Sequence, residues 1–236
     1  MDIIKTKGLI LRSAKYGENA KMLTVLSEDL GKISVSAKGA GSVRRGAAAL
    51  ANLCFCEFIL QKKGDIYSLS DVSPIENFFG LSKSVDYMET AAHMSKFINY
   101  ICHENEPSEN VLRITLNCLY AMSKLSRHHN EALAVFLFKI LCETGFFPEL
   151  YTCTACGSVE MLTSFSCEYG GMLCTECCSH CPGGISISES ALLLMRHICS
   201  ADIKQIFKFT TDEKTSLEML KIAKLFISEH LEYQLQ

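Results

Sequence analysis

The sequence predicts an α+β protein of two modules: a small five-stranded β-barrel over residues 1–80 and an all-α domain over 81–236 that carries a four-cysteine insert at about 150–182. Three observations predict it. Residues 1–75 hold their apolar side chains in short alternating or apolar-rich runs, as strands do. After Pro74 the apolar spacing changes to steps of three and four, the helical period. Beyond residue 150, cysteines recur in pairs two residues apart, in a stretch with no sustained period.

The plainest strand is GKISVSAK (31–38), where Ile33, Val35 and Ala37 alternate with Lys32, Ser34, Ser36 and Lys38. IIKTKGLIL (3–11) and KMLTVLS (21–27) precede it. LCFCEFILQ (53–61) and DIYSLSDV (65–72) follow, joined by the hairpin turn KKGD (62–65). Five short strands suit a closed barrel. The OB-fold is the five-stranded type, and an SH3-like barrel fits the pattern nearly as well.

In SVDYMETAAHMSKFINYICHE (84–104), Tyr87, Ala91, Met94, Ile98 and Ile101 make a helical stripe. Pro107-Ser108 opens a second helix with Leu112, Leu116, Leu119 and Met122 on one side. NEALAVFLFKILCETG (130–145) is apolar almost all round, which predicts the buried helix of a bundle, ended by Gly145 and Pro148. Two more helices follow. One begins at SESALLLMRHI (188–198), and the other covers about 213–233, with Leu217, Leu220, Ala223, Ile227 and Leu231 as its expected stripe.

Across 236 residues, 48% are hydrophobic and 21% charged, enough apolar surface for a sizeable core. A net charge of −3 excludes a positive field over the whole chain. Residues 1–80 nevertheless hold eight Lys and three Arg against eight acidic residues, a net of +3, and the remainder is −6. A basic module joined to an acidic one predicts different partners for each. The opening MDIIKTKG lacks a secretory profile, and the most apolar stretch, 132–142, is short and broken by Lys139. A soluble intracellular protein is expected. Thirteen cysteines, an odd number, then require an explanation other than disulfides.

That explanation lies in Cys153-x2-Cys156, seventeen residues, then Cys174-x2-Cys177. Two residues between cysteines let both thiolates of a tight turn reach one ion, and four soft thiolates favour tetrahedral Zn²⁺. Cys178, Cys181 and His180 compete for the second pair, and Cys167 lies just upstream. Cys174 and Cys177 are preferred because they follow Gly170-Gly171 and mirror the first pair. Cys54, Cys56, Cys102, Cys118, Cys142 and Cys199 read as small buried hydrophobes. Four sulfurs fill the coordination sphere, so one structural zinc is expected and no catalytic one. There is no HExxH, the one HxE (His230 to Glu232) ends the last helix, and no nucleophile–base constellation can be assembled from spacing. The chain is expected not to be an enzyme.

SAKGAGSVRRGAAA (36–49) fits neither GxxxxGK[ST] nor GxGxxG. What remains is a glycine-rich cationic loop beside a strand bearing Lys32 and Lys38, in which Arg44 and Arg45 could fork onto phosphates. Tyr16, Phe55, Phe58 and Tyr67 are the aromatic candidates for stacking bases, and their spacing favours the core.

Two stretches then carry a family resemblance: KGLILRSAKYGENAKMLTVLSEDLGKISVSAKGA (7–40), and LCETGFFPEL (141–150) followed by CTACG and GGMLCTEC. In this order and spacing the chain resembles the bacterial recombination mediator family RecO over nearly its whole length. The resemblance implies an N-terminal OB-fold, a helical domain and a zinc site on Cys153, Cys156, Cys174 and Cys177. It also implies binding of single- and double-stranded DNA, annealing of complementary strands and a cytoplasmic, nucleoid-associated location. Implied partners are RecR, the C-terminal tail of single-strand-binding protein and, indirectly, RecA; no membrane is involved. DNA contacts carry over to Lys32, Lys38, Arg44 and Arg45, with Arg12, Lys15 and Lys21 behind them. The competing expectations are a zinc-containing interaction adaptor without direct DNA binding, and a zinc-dependent nucleic-acid enzyme.

Overall fold

The computed structural model describes residues 3–16, 18, 20–38, 50–181 and 183–235. The chain divides into two compact units, Met1–Lys124 and Leu125–Gln236. Among the described residues no helix is long and apolar enough to cross a membrane.

The first unit opens with β1 (Ile3–Lys15), β2 (Ala20–Ser27), β3 (Gly31–Lys38), β4 (Phe55–Lys63) and β5 (Ile66–Glu76). They close into a barrel in the order β1-β2-β3-β5-β4. All pairs are antiparallel except β3 with β5, which run parallel. The alternation read from the sequence becomes the barrel's inner rows: Leu23 and Val25 on β2 and Ile33, Val35 and Ala37 on β3 pack with Phe58, Leu60 and Tyr67. β1 runs four residues past its expected end at residue 11, through a bulge between Ile10 and Arg12. Pro74 lies inside β5, opposite Cys56. It is tolerated there because β3 pairs with β5 only at Tyr67 and Ser68, leaving the outer side of the strand near Pro74 free of ladder bonds.

Two helices complete this unit. α1 (Val85–Ile101) is capped by Ser84, whose Oγ accepts from the Asp86 N–H. Its buried side holds Ala91, Met94 and Ile98 as expected, with Phe97 and Ser95 added. After α1 the chain crosses the start of β3: the Asn105 N–H donates to the Lys32 carbonyl at 2.9 Å. Gly31 makes this crossing possible, since its φ is +68° and a Cβ there would sit 1.8 Å from the Glu106 carbonyl oxygen. α2 (Glu109–Leu125) follows, and Lys124 at its end pairs with Glu76 of β5 at 3.2 Å.

In the second unit α3 (His129–Glu143) is buried continuously from Glu131 to Leu141, as its all-round apolar sequence predicts. The two charged exceptions are held. Glu131 meets Arg127 at 3.1 Å, and Lys139 donates to the carbonyls of Cys199 (3.3 Å) and Ala201 (2.8 Å). Burial raises the Glu131 pKa, and the Arg127 charge opposes the rise. His128 caps α3 by accepting from the Asn130 N–H.

The insert contains three short strands, β6 (Leu162–Ser166), β7 (Gly171–Cys174) and β8 (Gly184–Ser186), in the order β7-β6-β8, and a single helical turn, α4 (Thr175–Cys178). Strands this short leave no period in a Gly- and Cys-rich sequence. α5 (Glu189–Ser200) and α6 (Glu213–Leu231) pack on α3. The expected stripe on α6 is rotated. Leu220, Ala223 and Ile227 are buried with Met219, Ile222 and Phe226, but Leu217 is 46% exposed. At ~100° per residue Leu217 lies roughly 60° beyond Leu220, on the side away from Met219 and Phe226.

Candidate metal centre and nucleic-acid interface

The four-cysteine cluster is assembled from two pieces of backbone. The first turn is closed by the Gly157 N–H on the Cys153 carbonyl (2.7 Å) and the Cys153 N–H on the Ser158 carbonyl (2.7 Å). The second leaves β7 at Cys174 and enters α4, where the Cys177 N–H points at Cys174 Sγ. Thr154 joins the two, its N–H donating to the Met172 carbonyl at 2.9 Å and its hydroxyl to the same oxygen at 3.1 Å. A Cβ on Gly171 would lie 2.4 Å from the Glu149 oxygen, so only glycine lets residue 149 run against β7.

The ligand atoms of Cys153, Cys156, Cys174 and Cys177 all lie within 4.8 Å of one another. A tetrahedron with metal–sulfur bonds of about 2.3 Å has edges of about 3.8 Å. Cys156 Sγ and Cys174 Sγ are 3.8 Å apart. The cluster can therefore hold a metal ion, and four-sulfur chemistry suits a soft or borderline one. Burial works against ionising Cys153, yet N–H groups of Cys174, Cys156 and Ala155 hold its pKa down at about 6. Hydrogen bonding to Cys156 and Cys174 pushes the Cys177 thiol up.

The competitors are turned elsewhere. Cys178 donates to Ser164 Oγ at 3.1 Å, and Cys181 hydrogen-bonds with Tyr169. His180 is exposed. Cys167 is half-buried, its pKa pushed up to about 11 by burial and the Glu229 charge, and its carbonyl accepts from His230 Nε2 at 2.8 Å. His230, at the end of the last helix, thus tethers α6 to the insert. Arg196 of α5 does the same, donating twice to the Leu150 carbonyl (2.9 and 2.7 Å) with its guanidinium 4.9 Å from the Tyr151 ring centroid.

Of the expected DNA contacts, Arg44 and Arg45 lie outside the described residues. Lys15 and Lys21 are direct cross-strand partners on β1 and β2, and Lys21 also faces Ala37 on β3. The pair continues the barrel's inward rows to its rim. Lys38 lies one residue further along β3, opposite Ala20. These three gather at one end of the barrel. Arg12, exposed and opposite Thr24, stands three residues before Lys15 on β1. Lys32 is apart from them: its Nζ donates to the Asn99 carbonyl in the last turn of α1 at 2.7 Å, a helix-capping contact.

Of the aromatics, Phe58 and Tyr67 are core and Phe55 is half-buried. Tyr16 departs from the expectation. It is 61% exposed directly after Lys15, where its N–H donates to the Ala20 carbonyl at 2.8 Å. Unbroken alternation from the inward Ile10 would turn Tyr16 inward too; the bulge at Leu11 shifts the alternation by one residue, so Lys15 continues the inward row and Tyr16 faces out.

Two domain models match the chain: recombination protein O N terminal over residues 1–78 and recombination protein O C terminal over 85–236. The DNA repair protein RecO of Acetivibrio thermocellus is 31% identical over 234 residues, 98% of this chain and 93% of the relative. That of Caldicellulosiruptor bescii is 31% identical, covering 96% of this chain and 93% of the relative. That of Caldicellulosiruptor saccharolyticus is 28% identical, with 100% and 95% covered. A closed five-stranded barrel, a helical region with a four-cysteine cluster, and likeness along nearly the full length of both partners together place the chain in the recombination protein O (RecO) family.

Proposed function

We propose that the chain is a non-catalytic recombination mediator. It binds single- and double-stranded DNA through one end of its barrel and anneals complementary strands. With RecR, it promotes loading of RecA onto strands covered by single-strand-binding protein. Family membership supports this reading, and one observation carries it: the Lys15–Lys21 cross-strand pair, with Lys38 and exposed Tyr16 beside it. Like charges set directly opposite cost stability, and a phosphate between them relieves that cost. Cations at a barrel mouth with an aromatic side chain in reach match the way such barrels hold a strand, by backbone charge and base stacking. Annealing breaks no covalent bond. It requires that phosphate repulsion between two strands be screened, which releases counterions and makes the activity fall with salt.

The cysteine cluster fits structural zinc on Cys153, Cys156, Cys174 and Cys177. When bound, the ion would supply four bonds that brace an insert too small to bury a core of its own. Four protein sulfurs leave no position for a reacting water. The site of action in the cell follows from the partners: the bacterial cytoplasm, at the nucleoid.

The test is annealing of two complementary oligonucleotides coated with single-strand-binding protein, at two salt concentrations and without nucleotide. Annealing that weakens with salt is expected. Absence of both annealing and low-salt oligonucleotide binding would instead make the chain an interaction adaptor.

A further inference from the structure

Within the first unit, a cleft of about 360 Å³ opens between β1 and α1. Leu11, Leu53, Met88 and Ala92 make its apolar wall. Three irregularities of the unit converge on it. Leu11 is the extra residue of the β1 bulge, and bulges re-aim side chains. Leu53 holds a left-handed backbone, φ +65°, while only 7% exposed, a conformation that branched side chains avoid. Ser95 is 8% exposed, lines the cleft, and its Oγ has no hydrogen-bond partner among the described residues. The Oγ is sealed from solvent as it stands, and its unmet hydrogen-bonding capacity can be used by a group in the cleft once the side chain rotates toward the opening.

The rest of the lining says what ligand. Among the described residues the two ionisable ones there, Arg12 and Lys96, are both cationic and exposed. Asn52 Oδ1 accepts from the Ser13 N–H at 2.7 Å, which turns its amide N–H₂ into the remaining donor. The volume lies near the small end of the ~300–1,000 Å³ range of ligand pockets, room for one compact group. Arg12 and Lys15 share β1, so the cleft lies along the strand that carries the cations of the barrel's rim.

Resting on the DNA-binding reading above, we propose that this cleft takes a single unpaired base of a DNA strand, its phosphate toward Arg12 and Lys96 and its edge toward Ser95 and Asn52. Among the described residues the lining holds no aromatic ring, and there the base is gripped by aliphatic surface on its faces. A paired base cannot enter. The cleft therefore distinguishes single strands from duplex, which the rim lysines, reading only phosphate, cannot do.

The experiment fills the cleft without touching the rim. Ala92 is exposed on a helix, so Ala92→Phe is compatible with the fold, and an unchanged Tm checks it. Affinities for a mixed-sequence 20-mer and for its blunt duplex are measured by fluorescence anisotropy at low salt. Ala92→Phe is expected to weaken single-strand binding about tenfold and leave duplex binding at the wild-type value. Photocrosslinking of a 5-iodouracil 20-mer is expected to label α1 near Met88. Equal loss for both DNA forms, no loss for either, or crosslinks confined to the Tyr16 end would overturn the proposal. So would an Ala92→Phe chain that keeps its single-strand affinity but loses an amphipathic peptide with a free carboxylate. A wild-type chain that binds neither DNA form at low salt would instead remove the functional reading itself. Salt-sensitive binding indifferent to Ala92→Phe removes the cleft alone.

Discussion

Replacing Lys15 and Lys21 together by glutamine separates electrostatic from structural roles, because the two readouts should move in opposite directions. The side chains stand directly opposite each other at the barrel rim. Their mutual repulsion costs roughly 0.2–1 kcal/mol at low ionic strength, and glutamine removes it while keeping most of the aliphatic stem. A gain of that size raises Tm by roughly 0.4–4 °C in a chain of this length. DNA binding should weaken at the same time. Each neutralised phosphate contributes about 0.7 to the slope of log K against log salt on a single strand, so losing two cations shallows the slope by about 1.4. Between 50 and 200 mM salt, that difference amounts to about sevenfold in relative affinity. Anisotropy titrations of a labelled 20-mer over that range, with thermal melts in matching buffers, measure both. An unaltered slope with a lowered Tm would refute the reasoning, since the pair would then be structural.

Three further outcomes follow from the geometry. Cys174→Ser, or treatment with a zinc chelator, is expected to release the metal and raise hydrogen exchange through residues 150–187 while the barrel keeps its oligonucleotide affinity; exchange mass spectrometry reads the first and anisotropy the second. Arg127→Ala leaves the buried Glu131 carboxylate and the Phe207 and Phe209 carbonyls without their donor, for a loss of about 3–5 kcal/mol in denaturant unfolding. Because the folded pKa of Glu131 is already raised, stability tied to that group is present at low pH and declines as pH rises through the raised value; Arg127→Ala should therefore be more damaging at pH 8 than at pH 5. Glu76 has the opposite sign. Burial resists its ionisation, but the N–H of Phe78 and the Lys124 ammonium outweigh that and lower its pKa. Its contribution is present above the ordinary carboxylate range and disappears as pH falls through the lowered value, so Glu76→Gln should cost about 1–2 kcal/mol at pH 7 and progressively less as the pH is brought down through that lowered value.

Much of this molecule is legible in its sequence where one periodicity controls one environment. Ile33, Val35 and Ala37 alternate inward, and Cys153-x2-Cys156 with Cys174-x2-Cys177 converge as their spacing predicts. Legibility fails where a single residue's position depends on an irregularity upstream or on a distant partner. Tyr16 is exposed because the bulge at Leu11 shifts the alternation of β1, and Lys32 is engaged because α1 happens to end beside it. Leu217 faces outward because α6 buries a broad arc whose limits are set by the neighbouring helices. The cleft was invisible for the same reason. Leu11, Leu53 and Ser95 belong to three separate segments, and nothing in their local spacing announces that they meet.

The crossing of residues 103–106 over the start of β3 has a consequence for the behaviour of the chain in concentrated solution. β5 covers β3 only at Val35 and Ser36, so the first half of that strand would otherwise present bare amide and carbonyl groups, a template on which a second molecule could add its own extended backbone. Residues 104 and 105 occupy that template from within the same chain. A substitution at Gly31 that pushes them off would unseal it, and self-association into β-rich oligomers, rather than simple unfolding, is the failure to expect.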